Sequence, residues 1–147
     1  MDKKDIILSY LDIIRLSEKN ARRIGDSSKE LFSLNFKILA CIYRLGSPSQ
    51  TEIVQDIDLA KSNVANFCKG LIGRGLITSR ADEKDRRIVY YELTKEGKKY
   101  VDSICSEQGG IIDCLPPTKQ DKLIKHLQGL QKVFEEIERE NRDAKVN

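Results

Sequence analysis

Residues 48–93 read PSQTEIVQDIDLAKSNVANFCKGLIGRGLITSRADEKDRRIVYYEL, and this stretch decides the fold. Pro48-Ser49-Gln50-Thr51-Glu52 is a helix start with a capping box. The Ser49 hydroxyl can take an orphan backbone N–H, and Glu52 can reach back to Ser49. Ile53, Val54 and Ile57 give this short helix an inward side, and it stops near Asp58. A second helix follows almost at once, from about Ala60 to Gly73, with Val64, Phe67, Cys68 and Leu71 inward and Gly75 as its stop. Two short helices joined by a tight turn make a helix-turn-helix. The period then changes. Leu76-Ile77-Thr78-Ser79-Arg80 and Ile88-Val89-Tyr90-Tyr91-Glu92-Leu93 are β-rich and flank a charged loop, Ala81 to Arg87, which predicts a hairpin. In that position a hairpin is a wing.

Working upstream, Ile6, Tyr10, Ile13, Ile14, Ala21 and Ile24 recur at helical spacing from about Lys3 to Ile24. Gly25-Asp26-Ser27-Ser28 breaks that helix. Ser33 is expected to cap the next, whose buried stripe reads Phe36, Leu39, Ala40 and Tyr43 and which ends at Gly46. Downstream, Thr94-Lys95-Glu96-Gly97 opens a long helix expected to run to about Cys114. Gly109-Gly110 weakens it near its end, by about 1 kcal/mol each relative to alanine. Pro116-Pro117 ends it, and Thr118 is expected to cap the last helix. Leu123, Leu127, Leu130, Phe134 and Ile137 in that helix form an a/d seam, which wants a partner helix. The tail after Glu140 is polar and is expected to fray. The predicted fold is mainly α with a small β-hairpin wing. It has a winged helix-turn-helix over residues 33–97 and flanking helices within 1–24 and 98–141, all within a single domain of residues 1–147.

Composition narrows the function. The chain has 147 residues, 39% hydrophobic and 33% charged, so it can bury a core, but at this charge density it suggests an elongated helical protein that completes its core in an oligomer. No apolar run approaches the roughly 18 residues of a membrane-spanning helix. Met1-Asp2-Lys3-Lys4-Asp5 leads into an amphipathic pattern without a secretory h-region, so a cytoplasmic location and no membrane association are expected. Cys41, Cys68, Cys105 and Cys114 are widely spaced, and the single histidine, His126, is distant from them. Such spacing offers no metal site, and free thiols are expected. Without a phosphate loop or a nucleophile motif, neither an enzyme nor a cofactor is expected.

Charge is unevenly placed. Up to Leu59, nine basic residues balance nine acidic ones, whereas Ala60 to Tyr100 carries ten basic against five acidic. From Val101 onward seven basic residues face nine acidic ones. A basic island over a winged helix-turn-helix is the footprint of a nucleic-acid contact.

Three motifs then stand in register: Arg74-Gly75-Leu76-Ile77, Asp82-Glu83-Lys84-Asp85-Arg86-Arg87 and Leu93-Thr94-Lys95-Glu96-Gly97. They resemble the R-G-L-[IV], D-x-x-D-R-R and L-T-x-x-G signature of the MarR family of transcriptional regulators, and Ser33-Leu34-Asn35-Phe36 resembles the start of that family's second helix. The sharp motif spans Arg74 to Gly97, and the order of helices extends the likeness over nearly the whole chain. The resemblance implies a homodimer joined by its first and last two helices, with Ile6, Tyr10, Leu123, Leu127, Leu130, Phe134 and Ile137 in the interface. It implies double-stranded DNA with a pseudo-palindromic operator as partner. Repression relieved by a small aromatic effector, or by cysteine oxidation in one branch, is also implied.

On that reading the helix from Ala60 is the recognition helix, with Lys61, Ser62, Asn63, Ala65, Asn66 and Lys69 outward. Ser and Asn suit base edges and Lys suits phosphates. In the wing, Arg87 matches the family's minor-groove arginine, Asp85 matches the acid that holds it, and Lys84 and Arg86 become backbone contacts. A guanidinium is favoured where a narrow groove concentrates negative potential. An effector pocket would draw on Tyr10, Ile14, Phe36, Tyr43 and Tyr100, all of which also read as ordinary core. The chain departs from the family at Ala65-Asn66, where many members carry Thr-Arg, and at Gly70, where an Arg is common. Those departures keep open a winged-helix protein-interaction module without DNA binding. Cys105 and Cys114, expected on one long helix and too far apart to bridge within it, leave open a regulator that senses oxidation.

Overall fold

The computed structural model describes residues 2–25 and 27–146. They form two compact units, one up to Gly110 and one from Ile111 onward. The first holds α1 (Lys3–Arg22), α2 (Ser27–Leu31), α3 (Leu34–Leu45), α4 (Gln50–Ile57), α5 (Lys61–Gly73), β1 (Ile77–Ala81), β2 (Val89–Leu93) and α6 (Lys95–Gly109). The second holds a 3-10 turn, Ile112–Cys114, and α7 (Pro117–Val146). The fold is mainly helical with one antiparallel hairpin, as the sequence predicts.

Short polar caps start the central helices. The Ser33 hydroxyl accepts the Phe36 N–H at 3.1 Å and fixes the start of α3. At α4 both halves of the capping box are present: Ser49 Oγ accepts from the Glu52 N–H at 3.1 Å, and Glu52 Oε1 accepts from the Ser49 N–H at 3.3 Å. Thr94 Oγ1 accepts from the Gly97 N–H at 2.9 Å to open α6. Gly75, with φ +73°, turns the chain out of α5 through the left-handed region where a side chain is disfavoured.

These starts aim apolar residues at one core, in which Ile38, Leu39, Ile42, Ile53, Val64, Cys68, Leu71 and Ile77 are fully buried. Val101 and Ile104 of α6 close it. Gly97 permits the closest approach. A Cβ there would lie 1.9 Å from the Leu76 carbonyl oxygen, which also accepts the Thr94 N–H at 3.0 Å. The start of α6 therefore rests directly on the backbone that enters β1.

Several expectations need correction. Tyr43 is 52% exposed, whereas Ile38, Cys41 and Ile42 are buried with Phe36 and Leu39; α3 is buried over a wider arc than one stripe. A short helix, α2, follows the first break; Ser27 and Ser28 belong to it, and Asp26 of that break lies outside the described residues. The long helix ends at Gly109, where the glycine pair removes helix propensity, so Cys114 sits in the 3-10 turn and not on α6 with Cys105. The last helix starts at Pro117, with the Pro116 carbonyl accepting from the Lys119 and Gln120 N–H groups at 2.9 and 3.1 Å. Proline suits that first helical position, and Thr118 lies inside the first turn rather than capping it. Beyond Glu140 the chain stays helical to Val146, with Arg142 bonded to Glu138 at 3.1 Å one turn back. Met1 and Asn147, the ends of the expected domain, are outside the described residues.

Candidate nucleic-acid interface

α5 and the hairpin meet through the start of α4. On one edge β2 pairs with β1 from Ile77↔Leu93 to Ala81↔Val89. On its other edge the Tyr91 N–H donates to the buried Pro48 carbonyl at 3.0 Å, and Ser49 bridges to Tyr90. The Tyr91 hydroxyl donates to Gln50 Oε1 at 3.4 Å, and Gln50 Nε2 donates to the Lys61 carbonyl at 3.4 Å. One glutamine thus joins the wing strand to the first turn of α5. Behind it Cys68 and Tyr91 are buried side by side, and burial pushes the thiol up to about 11 and the phenol up to about 12.

With Val64, Cys68 and Leu71 buried, the opposite side of α5 presents Lys61, Ser62, Asn63, Asn66 and Lys69 exposed and Ala65 half-buried. No acidic residue stands on that helix. The face is basic and rich in amide and hydroxyl groups.

The wing is held by its own side chains. Asp85 Oδ1 accepts from Arg87 Nε at 3.0 Å and Oδ2 from a terminal guanidinium nitrogen at 3.0 Å, a two-pronged pair. Oδ1 also accepts the Arg87 N–H at 3.1 Å. These donors hold the Asp85 carboxyl below the usual carboxylate range, while Arg87 remains 90% exposed. Lys84 and Arg86 are exposed beside it. Two interactions were not anticipated from sequence. Arg80 stacks over the Tyr90 ring, 4.5 Å from its centroid, and Asp82 Oδ2 accepts from the Lys84 and Asp85 N–H groups, each at 3.0 Å. The spacing of Asp82 to the amides two and three residues on is the signal that could have revealed the second.

Of the five candidate pocket residues, Phe36 and Tyr100 pack into the same core. Phe36 is core, Tyr10 and Ile14 lie on α1, and Tyr100 packs under Arg74, whose guanidinium carbon is 5.3 Å from its ring centroid. Tyr43 alone of the five lines a cavity of about 460 Å³, together with Ile42, Gly46, Ser47, Glu92, Leu93 and Lys98. Among the described residues no cluster of metal-ligating side chains occurs and no helix is long and apolar enough to cross a membrane. Cys41 and Cys68 are buried free thiols; Cys105 and Cys114 are exposed ones.

Residues 33–89 match the profile of the MarR family. An uncharacterized HTH-type transcriptional regulator of Bacillus subtilis (strain 168), YkoM, is 30% identical over 106 residues, which cover 69% of each chain. Among solved structures, a variant of MarR from E. coli complexed with operator DNA superposes with a TM-score of 0.59 at 16% identity, over 88% of this chain and 99% of that one. BpsR of Bordetella bronchiseptica, whose DNA binding is regulated by 6-hydroxynicotinic acid, gives 0.59 at 19% identity over 88% and 93% of the two chains.

Proposed function

The chain belongs to the MarR family of transcriptional regulators, and on that premise we propose that it is a homodimeric repressor reading a pseudo-palindromic double-stranded operator. Arg87 carries the proposal: a guanidinium 90% exposed at the wing tip yet held in orientation by the two bonds it donates to Asp85. A cation kept extended and pre-oriented suits insertion into a narrow minor groove. Lys84 and Arg86 then meet the flanking phosphates. On α5, Ser62, Asn63 and Asn66 face base edges, Ala65 offers a methyl contact, and Lys61 and Lys69 neutralise backbone charge.

The second copy supplies the other half-site and covers the terminal helices. Ile6 of α1 and Leu127 and Ile137 of α7 are about half exposed, and Leu123 and Leu130 lie on the same seam of α7. A small aromatic effector would stack against Tyr43 in this cavity, where Lys98 offers a positive group and the Ser47 hydroxyl is bonded to Glu92. Binding there would act at the junction of α3, β2 and the first turn of α6, beneath the wing. The protein works in the cytoplasm, where its operator is.

The test is an anisotropy salt titration on a duplex that the wild-type chain selects from a random pool, against a scrambled duplex. Arg87→Ala is expected to weaken specific binding by about 1–3 kcal/mol per contact and leave the fold intact. Lys69→Ala is expected to weaken both duplexes alike and to lower the salt slope by about one per phosphate contact. Wild-type-like binding by Arg87→Ala would make the wing structural. Failure of the wild-type chain to select any duplex would favour a protein-interaction module instead.

A further inference from the structure

We propose that Asp82 is the positioning residue of the wing, acting on DNA only through Arg87. The inference rests on the DNA-binding reading above and adds a residue that touches no base or phosphate in it. The tip of the hairpin is a chain of carboxylate-to-amide contacts. Asp82 Oδ2 gathers the Lys84 and Asp85 N–H groups at 3.0 Å each, so its side chain fixes the backbone that carries Asp85. Asp85 in turn gathers the Arg87 N–H at 3.1 Å and the guanidinium at 3.0 Å through both oxygens. Backbone bonds close the same turn: the Asp82 N–H donates to the Ile88 carbonyl at 2.8 Å and the Ile88 N–H to the Asp85 carbonyl at 3.0 Å.

The base of this relay is anchored on the strands. The Asp82 carboxylate lies close enough to the Tyr90 hydroxyl to push the phenol's pKa up, and the Tyr90 ring carries the Arg80 guanidinium at 4.5 Å. The order along the hairpin is therefore Arg80, Tyr90, Asp82, Asp85, Arg87, running from paired strands to the exposed tip. A side chain as exposed as that of Arg87 has many rotamers in water, and fixing them before binding removes part of the ordering cost of association. The Asp85 pair does this only if Asp85 itself is fixed, which is the contribution of Asp82. Its negative charge is incidental to that role. An asparagine at the same place keeps a side-chain oxygen able to accept both amides.

The experiment is a double-mutant cycle on the selected duplex at one salt concentration, with circular dichroism and thermal melting on every variant. Asp82→Ala is expected to weaken operator binding about three- to tenfold with Arg87 present, and less than about twofold in an Arg87→Ala background. Asp82→Asn, which removes the same charge, is expected to bind within about twofold of the wild-type chain. Equal losses from Asp82→Ala in the two backgrounds would overturn the proposal, because Asp82 would then act independently of Arg87. A loss in Asp82→Asn as large as in Asp82→Ala would also overturn it, and this arm decides the matter if Asp82→Ala melts. Operator binding by the wild-type chain with no effect of Asp82→Ala defeats this inference alone, while no selection of DNA by the wild-type chain defeats the function it rests on.

Discussion

The winged part and the terminal helices place similar apolar residues in opposite surroundings. In α3 to α5, Ile38, Leu39, Ile53 and Val64 are wholly removed from water, whereas Ile6, Ile7 and Leu11 of α1 are more than half exposed. Leu127, Val133 and Ile137 of α7 stand about half exposed as well. The difference is one of neighbours rather than composition. Short capped helices that turn back on each other can cover one another's apolar sides. A long straight helix presents a stripe that only another long helix can match. The winged part closes its own core; the terminal helices leave apolar surface about half exposed, which the proposed second copy would cover.

The largest expected effect breaks the open side of that contrast. Replacing Leu127 and Leu130 together by Asp is expected to dissociate the proposed dimer and to melt the terminal helices with it, read by sedimentation and circular dichroism across protein concentration. A folded monomeric double mutant would show that the winged part and α1 need no partner. For the wild-type chain the melting temperature should rise with protein concentration, as mass action requires of a coupled dimer.

Next comes the closed side. Gly97→Ala places a methyl 1.9 Å from the Leu76 carbonyl oxygen, with the Leu93 side chain at 3.2 Å. Neither backbone can yield cheaply, so the variant is expected to lose about 3 kcal/mol in urea denaturation, the upper range for overpacking. Stability near the wild-type value would mean that α6 can lift off the hairpin base.

The smallest effects concern the thiols, which fall on both sides of the contrast. Burial first, and Asp56 second, push Cys41 up to about 12 from an ordinary 9.0, and burial pushes Cys68 up to about 11. The folded chain keeps protons there that the unfolded chain releases above its ordinary thiol pKa. Stability from these groups is therefore complete below about pH 9 and declines as pH rises from there toward the folded values. Denaturation midpoints at about pH 8 and pH 10 should show the fall, and Cys41→Ser with Cys68→Ser should flatten it. Cys105 and Cys114 are exposed, and burial together with Asp102 raises Cys105, which works against thiolate formation. Peroxide is accordingly expected to change operator affinity by less than about threefold. Release of DNA by stoichiometric peroxide, abolished in Cys105→Ser or Cys114→Ser, would identify an oxidation sensor.

What could be read in the sequence follows the range of the forces involved. Caps are local chemistry, so Ser33, Ser49 with Glu52, and Thr94 were legible with their helices. The hairpin followed from a change of period, and the Asp85–Arg87 pair from a motif. Tyr43 was not legible: apolar residues recur on two sides of α3, and only the packing of α4, β2 and α6 decides which side is covered. α2 has five residues, too few for a period to register. On α5 the outward residues stand where helical phase puts them, but Ala65 is half-buried. A pocket between the terminal helices and the winged part draws on aromatic and aliphatic residues, and residue type does not tell a core phenylalanine from a tyrosine at a cavity rim. The Asp82 contacts escaped because charge counting treats a carboxylate as a charge, whereas here it serves as an acceptor for two amides.

The carbonyl of Leu76 has a further consequence. It receives the Thr94 N–H, Gly97 rests on it, and next to it Thr94 Oγ1 donates to the Gly75 carbonyl at 2.6 Å. The two ends of the wing are thus clasped below the strands, independently of the peptide bonds at the tip. The tip is also where a trypsin-like protease finds Lys84, Arg86 and Arg87 exposed. A single cut there severs the covalent chain while leaving five strand pairs and the clasp in place, so the two fragments should travel together until a denaturant separates them. Damage at the wing would then spoil the proposed operator contact without releasing an unfolded chain.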